Sequence, residues 1–204
     1  ESVNHSLSKL HLSSLDICYL HQNDIDIISD RYVHQGLKLL KEKGLIRRAG
    51  ASLYNKEECA YAADSGMFDV IQLPVSVFDL GLYNFFFRKG PVPLTLIARS
   101  LLLQGILANR KQIGERIRQS EAILQYLHNL DELAQGCGLS TLRMALAFVF
   151  GLEGISSCII GTASLENLRR DIACMQIQLP QRVISELKTL AGAEKEWTNP
   201  RSWK

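Results

Sequence analysis

Short apolar runs and longer amphipathic runs alternate along this chain, regularly enough to be read as a series of strand–helix units. The stretch Leu15-Asp16-Ile17-Cys18-Tyr19-Leu20 is rich in β-formers and ends at His21 before the polar Gln22-Asn23-Asp24, which predicts a buried strand running into a loop. Val33, Leu37 and Leu40 then recur at helical spacing within Asp30 to Lys43, and Gly44 stands where a helix C-terminus favours a left-handed residue. Leu45 to Ser52 predicts the next strand. Asn55, with Glu58 three residues on, is a capping-box start for a helix over Lys56 to Ser65, closed by Gly66. Further strands are predicted at Phe68 to Leu73, ended by Pro74, at Leu94 to Ala98 and at Ile155 to Ile160. Between the last two lie a helix carrying Ile123, Leu124, Leu127, Leu130 and Leu133 up to Gly136, and another that starts at Ser140 and buries Leu142, Ala145, Phe148 and Val149. A helix from Ser164 to about Ile172 follows, then a terminal helix opened by Pro180 with Val183, Ile184, Leu187 and Leu190 on one face. The tail from Trp197 to Lys204 has no periodicity.

Continuously apolar strands alternating with amphipathic helices imply an α/β fold, a parallel sheet with helices on its faces. An open doubly wound sheet and a barrel both bury their strands on two sides, so periodicity leaves both possible. No GxGxxG follows any strand, which tilts the reading modestly toward the barrel.

Composition narrows the function classes. With 204 residues, 47% of them hydrophobic, the chain is read as one globular domain with a real core. Its formal net charge of +2 comes from evenly mixed acids and bases, so no nucleic-acid partner is expected. Cys18, Cys59, Cys137, Cys158 and Cys174 form no CxxC pair and read as reduced core thiols. No apolar stretch reaches the length of a membrane span and the first residues are polar, so a soluble, cytoplasmic protein without a membrane partner is expected. No lysine ends a strand in a Schiff-base position and no carboxylate cluster points to a metal, which disfavours aldolase-like or metal-assisted chemistry.

The strand ends carry more. Ser14 to His21 resembles the histidine-terminated strand of aldo/keto reductases, and Gly44 to Ser52 the following strand that ends in a serine. Phe68-Asp69-Val70-Ile71-Gln72-Leu73-Pro74 is similar to their glutamine-bearing strand, and Ala98 to Gly105 to the loop of a bacterial branch. Ile159-Ile160-Gly161-Thr162-Ala163-Ser164-Leu165-Glu166-Asn167-Leu168 resembles their last strand end and the helix after it. Five matches in the right order, over essentially the whole chain, make a specific signal. The resemblance implies a (β/α)8 TIM barrel with the cofactor across its C-terminal mouth. Residues 1–204 would be the C-terminal portion of such a barrel, strands four to eight with their helices. Three β/α units precede these in the family and supply the aspartate, tyrosine and lysine of the catalytic tetrad, so the chain as given is expected to be a partial, truncated barrel.

The same resemblance implies roles. His21 would aid the substrate carbonyl, because hydride addition builds negative charge on its oxygen and a donor aimed there lowers the barrier. Ser52 and Gln72 would hydrogen-bond the nicotinamide carboxamide, although Leu53 and Tyr54 replace the usual asparagine after the serine. Arg99 stands where many members stack a tyrosine on the nicotinamide ring. Ser100, Leu102, Gln104 and Gly105 belong to the loop whose backbone amides hold the pyrophosphate. Gly161, Thr162 and Ala163 occupy a stretch where NADPH-preferring members carry basic or hydroxyl groups for the 2′-phosphate, and no basic residue is present there. Asn167, Arg170 and Asp171 match positions near the adenine, with Arg169 or Arg170 as possible substitutes, so both NADP(H) and NAD(H) stay open. Each residue taken singly has a plainer account, a satisfied strand end or a solvated loop.

Two functions are therefore weighed. One is NAD(P)H-dependent reduction of an aldehyde or ketone, a small-molecule carbonyl substrate whose pocket would be built from variable loops and the tail with Trp197 and Trp203. The other is an inactive partial barrel that self-associates or binds its missing N-terminal half, because open strand edges and an uncovered interior seek partners.

Overall fold

The computed structural model describes residues 2–21, 24–90, 92–107, 110, 113, 120–192 and 198. In chain order the elements are α1 (Ser2–Leu10), β1 (Leu15–Leu20), α2 (Ile25–Ile28), α3 (Arg31–Glu42), β2 (Ile46–Ser52), α4 (Lys56–Asp64), β3 (Val70–Pro74) and α5 (Gly81–Lys89). They continue with β4 (Thr95–Arg99), a 3-10 turn (Leu103–Gly105), α6 (Ser120–Gly136), α7 (Thr141–Phe150), β5 (Ile155–Cys158), α8 (Leu165–Ala173), a second 3-10 turn (Cys174–Gln176) and α9 (Gln181–Gly192). The strands form one sheet in the order β1-β2-β3-β4-β5, and β1, β2 and β3 pair in parallel. Sequential strands that lie side by side, with helices between them, are what a barrel wall requires.

The chain divides into two compact units, Glu1–Leu73 with Phe85–Ile97, and Pro74–Asn84 with Ala98–Lys204. In the first unit local chemistry sets the helix ends. The Asp30 carboxylate accepts from the N–H groups of Tyr32 and Val33 at 2.7 and 3.0 Å and starts α3. That helix stops at Gly44, whose φ of 68° lets its N–H donate to Lys41 O at 2.9 Å and the Leu45 N–H to Leu40 O at 3.0 Å. Asn55 and Glu58 form the expected reciprocal capping box on α4. Gly50 lies opposite Tyr19 in the β1–β2 register, and a Cβ there would sit 2.6 Å from the tyrosine ring. The glycine therefore lets the ring cross β2.

The core of the second unit is α7, in which Met144 through Val149 are all buried, together with Ile123, Leu127 and Leu130 of α6 and Leu187 and Ala191 of α9. The Tyr126 hydroxyl donates to Val77 O and the Tyr83 hydroxyl to Glu153 O at 3.0 Å, which satisfies both phenols inside an apolar setting. Burial pushes both phenols up from their ordinary value.

Several elements differ from expectation. β3 starts at Val70, not Phe68, and includes Pro74 as its last residue. β5 ends at Cys158, two residues early. The helix α5 has no counterpart in the pattern, because Leu82, Tyr83, Phe85, Phe86 and Phe87 form an almost unbroken apolar run. It is started by the Asp79 carboxylate accepting from the Gly81 N–H at 2.6 Å and ends on Arg88 and Lys89, which suit the negative end of the helix. The tail with Trp197 and Trp203 lies outside the described residues. Among the described residues no single helix is long and apolar enough to cross a membrane.

Candidate functional site

In the first unit, parallel pairing brings three of the expected residues to one level of the sheet. Leu20 pairs with Ala51 and Ser52 with Gln72, so His21 just after β1 and Ser52 at the end of β2 lie level with Gln72 in the middle of β3. Ser52 is buried, Gln72 half-buried and His21 exposed. The Leu53 N–H donates to Gln72 O at 3.0 Å and carries the ladder one residue beyond Ser52. A nearby acid, Glu58, is buried but fully engaged: the N–H groups of Tyr54 and Asn55 donate to its Oε2 at 2.7 and 3.3 Å, and Asn55 Nδ2 donates to its Oε1 at 2.7 Å. It is a cap, not an acid catalyst. Burial, with Glu58 beside it, pushes the Cys59 thiol up to about 12, so this cysteine stays a neutral core group.

The second unit holds a cavity of about 450 Å³, bounded by the loop after β4 and the segment after β5. From the loop come Ser100, Leu101, Leu102, Gln104 and Gly105, and from the other side Ile159, Ile160, Gly161, Thr162, Asn167, Arg170 and Asp171. The loop folds back on itself, with the Leu103 N–H donating to Ser100 O at 2.9 Å and the Gly105 N–H to Leu102 O at 3.0 Å. Ser100, Leu103 and Gln104 adopt φ of 60°, 45° and 52°, and Gly105 follows at 87°. Three non-glycine residues in the left-handed region cost of order 1–2 kcal/mol each, a concentration of strain typical of ligand-holding loops. The N–H groups of Leu101 and Leu102 have no acceptor among the described residues, which leaves main-chain donors beside the cavity. Opposite them the Thr162 Oγ1 accepts from the Ser164 N–H at 3.1 Å and Ser164 Oγ from the Asn167 N–H at 3.2 Å, so the far wall is the capped first turn of α8. Arg170 donates through Nε and Nη2 to Asp171 Oδ1 at 3.1 and 2.9 Å.

Residues 1–191 match the family model described as the aldo/keto reductase family. The chain belongs to the aldo/keto reductase family. An uncharacterized oxidoreductase, YqkF of Bacillus subtilis (strain 168), is 22% identical over 205 residues, covering 96% of this chain and 65% of its own length. Among solved structures, aldo-keto reductase AKR11C1 from Bacillus halodurans in its holo form has a TM-score of 0.79 at 19% identity, over 97% of this chain and 68% of its own. An aldo-keto reductase from Klebsiella pneumoniae in complex with NADPH has a TM-score of 0.70 at 20% identity, over 96% of this chain and 66% of its own. The chain thus spans about two thirds of the length of these relatives, and shares their fold.

For an aldo/keto reductase chain the expected site residues fall into two groups. Ser100, Leu102, Gln104, Gly105, Gly161, Thr162, Asn167, Arg170 and Asp171 converge on the one cavity, while His21, Ser52 and Gln72 lie level in the sheet of the first unit. Arg99 does not line the cavity; its Nη1 donates to Ser100 Oγ at 3.4 Å. Sequence reasoning passed over Leu101, Ile159 and Ile160, which supply apolar lining. Leu101 stands in the loop expected after β4, and Ile159 and Ile160 in the strand expected over Ile155 to Ile160, so their apolar type reads first as core although β5 ends at Cys158. Of the five cysteines expected in the core, Cys59 and Cys174 are buried, whereas Cys18, Cys137 and Cys158 are half-buried.

Proposed function

We propose that this chain forms the dinucleotide-holding part of an NAD(P)H-dependent carbonyl reductase and corresponds to strands four to eight of an eight-stranded barrel. The observation that carries the reading is the cavity of about 450 Å³ between the Ser100–Gly105 loop and the first turn of α8. Its size lies within the roughly 300–1,000 Å³ of small-molecule sites, and its donors suit a pyrophosphate. The Leu101 and Leu102 amides would meet phosphate oxygens, and the N-terminal end of α8 adds a positive partial charge. NADPH in the Klebsiella relative supports NADP(H) as a cofactor, with NAD(H) as the other candidate. When bound, the nicotinamide supplies a hydride to an aldehyde or ketone carbon. Ser52 and Gln72 would orient its carboxamide, Arg99 would lie over the ring or near a phosphate, and His21 would donate to the carbonyl oxygen as charge develops. The tetrad aspartate, tyrosine and lysine would come from units outside this chain.

One observation favours a second reading, an inactive partial barrel that self-associates or recruits a complementary half. Leu165, Leu168, Ile172 and Met175 follow helical spacing along and just beyond α8 and are 62%, 39%, 53% and 61% exposed, an apolar stripe of the kind that marks an interface. Among the described residues β1 and β5 are the end strands of the sheet and add unpaired edges.

Calorimetric titration of the 204-residue chain with NADPH and NADH separates the two. A saturable one-to-one signal is expected, weakened at least about tenfold by Gly161→Trp, since Gly161 lines the cavity, a Cβ there meets nothing within 4 Å and the indole would take up cavity space. A chain that self-associates and binds neither dinucleotide is what the second reading requires, and it would overturn the first.

A further inference from the structure

Helix α8 turns its apolar side away from the unit that carries it. The helix rests on that unit through Asp171, which is buried, and Asn167, which is half-buried, and the 3-10 turn that continues it buries Cys174. Leu165, Leu168, Ile172 and Met175, spaced three, four and three residues apart, form an exposed seam instead. That spacing is the pattern by which one helix packs along another, and a helix ordinarily turns such a stripe to the core. The seam leaves of order 400 Å² of apolar surface open, the size at which a patch marks an interaction site. None of the four residues lines the cavity.

Two neighbours of the seam identify what covers it. At 100° per residue, Glu166, Arg169 and Ala173 fall along the flank away from the buried side chains, and all three are exposed. The rim therefore carries one acid, one base and one small residue that lets a second helix come close. Such a rim is complementary to itself, because a two-fold axis sets the Glu166 of each copy on the same side of the seam as the Arg169 of the other, and neither sign accumulates. The second neighbour is β5, the strand just before α8 and an end strand of the sheet among the described residues. Two seams alone would bury roughly 800 Å², half of the ~1,600 Å² of a standard interface. Antiparallel pairing of the β5 edge with its own copy adds main-chain hydrogen bonds about the same axis.

We propose that this face is a self-complementary interface: two copies of the chain associate about a two-fold axis, with the Leu165, Leu168, Ile172 and Met175 seams packed antiparallel and the β5 edges side by side. The proposal takes only self-association from the second reading above and is independent of what the cavity holds.

Sedimentation equilibrium of the 204-residue chain from about 1 to about 100 µM, where interfaces of modest area associate, tests it. A monomer–dimer equilibrium without larger species is expected, because a two-fold contact closes on itself. Leu168→Glu and Ile172→Glu, each placing a charge in the seam, should each raise the dissociation constant at least about tenfold. Their thermal melting should stay close to that of the natural chain, since both side chains are exposed in a single copy. Arg169→Glu leaves only acids on the rim and should weaken association about three- to tenfold. Adding Glu166→Arg to it restores both signs and should bring association back to within about threefold of the natural chain. A monomer at every concentration, a dimer as tight in Leu168→Glu and Ile172→Glu as in the natural chain, or open-ended oligomers would overturn the proposal. A charge swap that leaves the Arg169→Glu loss unrecovered overturns it as well, since the rim is then not self-complementary. NADPH titration of the monomeric Leu168→Glu chain reads the cavity separately, so failure of one reading is told apart from failure of the other.

Discussion

Asp131 illustrates how a single half-exposed side chain ties one helix to its surroundings. Its carboxylate accepts from Arg110 Nη1 and Nη2 at 2.6 Å each and from the Thr141 hydroxyl, which joins α6 to the start of α7. The Arg110 hydrogen bonds hold the Asp131 carboxyl below the usual carboxylate range, with Thr141 reinforcing the effect. A carboxyl depressed in the folded state contributes stability that is complete above the unfolded pKa of about 3.9 and is lost as pH falls through the lower folded value. Urea unfolding from pH 7 down to pH 3 should therefore show an acid-side decline that is shallower in Asp131→Asn, which has lost that contribution throughout. Parallel curves for the two proteins would mean that solvent screening, at a side chain 39% exposed, removes the effect. The left-handed run at Leu103, Gln104 and Gly105 is the other residue-scale feature, and only its glycine could be anticipated from residue type.

At the scale of elements, β1 and β2 are joined by a close fit. With Tyr19 ring carbons 2.6 Å from the place of a Cβ on Gly50 and Val70 O at 3.0 Å, Gly50→Ala requires the ring or the strand to move. Such overpacking typically costs about 1–3 kcal/mol, and Tyr19→Leu in the same chain should recover much of it. Equal losses in the single and double variants, measured by denaturant unfolding, would show that the ring is not the obstacle. Elements of this kind were legible in the sequence wherever chemistry and period agreed: Asp30, Asn55, Ser140 and Ser164 each cap the helix predicted after them. The aromatic run of α5 was not legible, because its apolar residues fill two faces and only the exposure of Phe87 reveals which one faces water. The candidate site divides in the same way. Its polar loop residues announced themselves by type and order, whereas the burial of Asp171 and its hold on Arg170 depend on how α8 packs, which no local pattern encodes.

At the scale of the whole molecule, this aldo/keto reductase chain sets five strands in the order β1-β2-β3-β4-β5, and nine of the residues singled out in the sequence line one cavity. The fold class followed from alternation alone, and the resemblance at five strand ends chose the barrel. What alternation could not supply was the strand order, which depends on pairings such as Ser52 with Gln72 that lie far apart in sequence. The central claim is that the loop after β4 and the start of α8 together hold a dinucleotide. Hydrogen exchange read by mass spectrometry, with and without saturating NADPH, addresses it most directly, because unsatisfied amides that gain a phosphate acceptor exchange more slowly. The account predicts protection concentrated in peptides covering residues 100–107 and 159–171, with little change in α6 and α9. Protection confined to other segments, or none at any NADPH concentration, would contradict it.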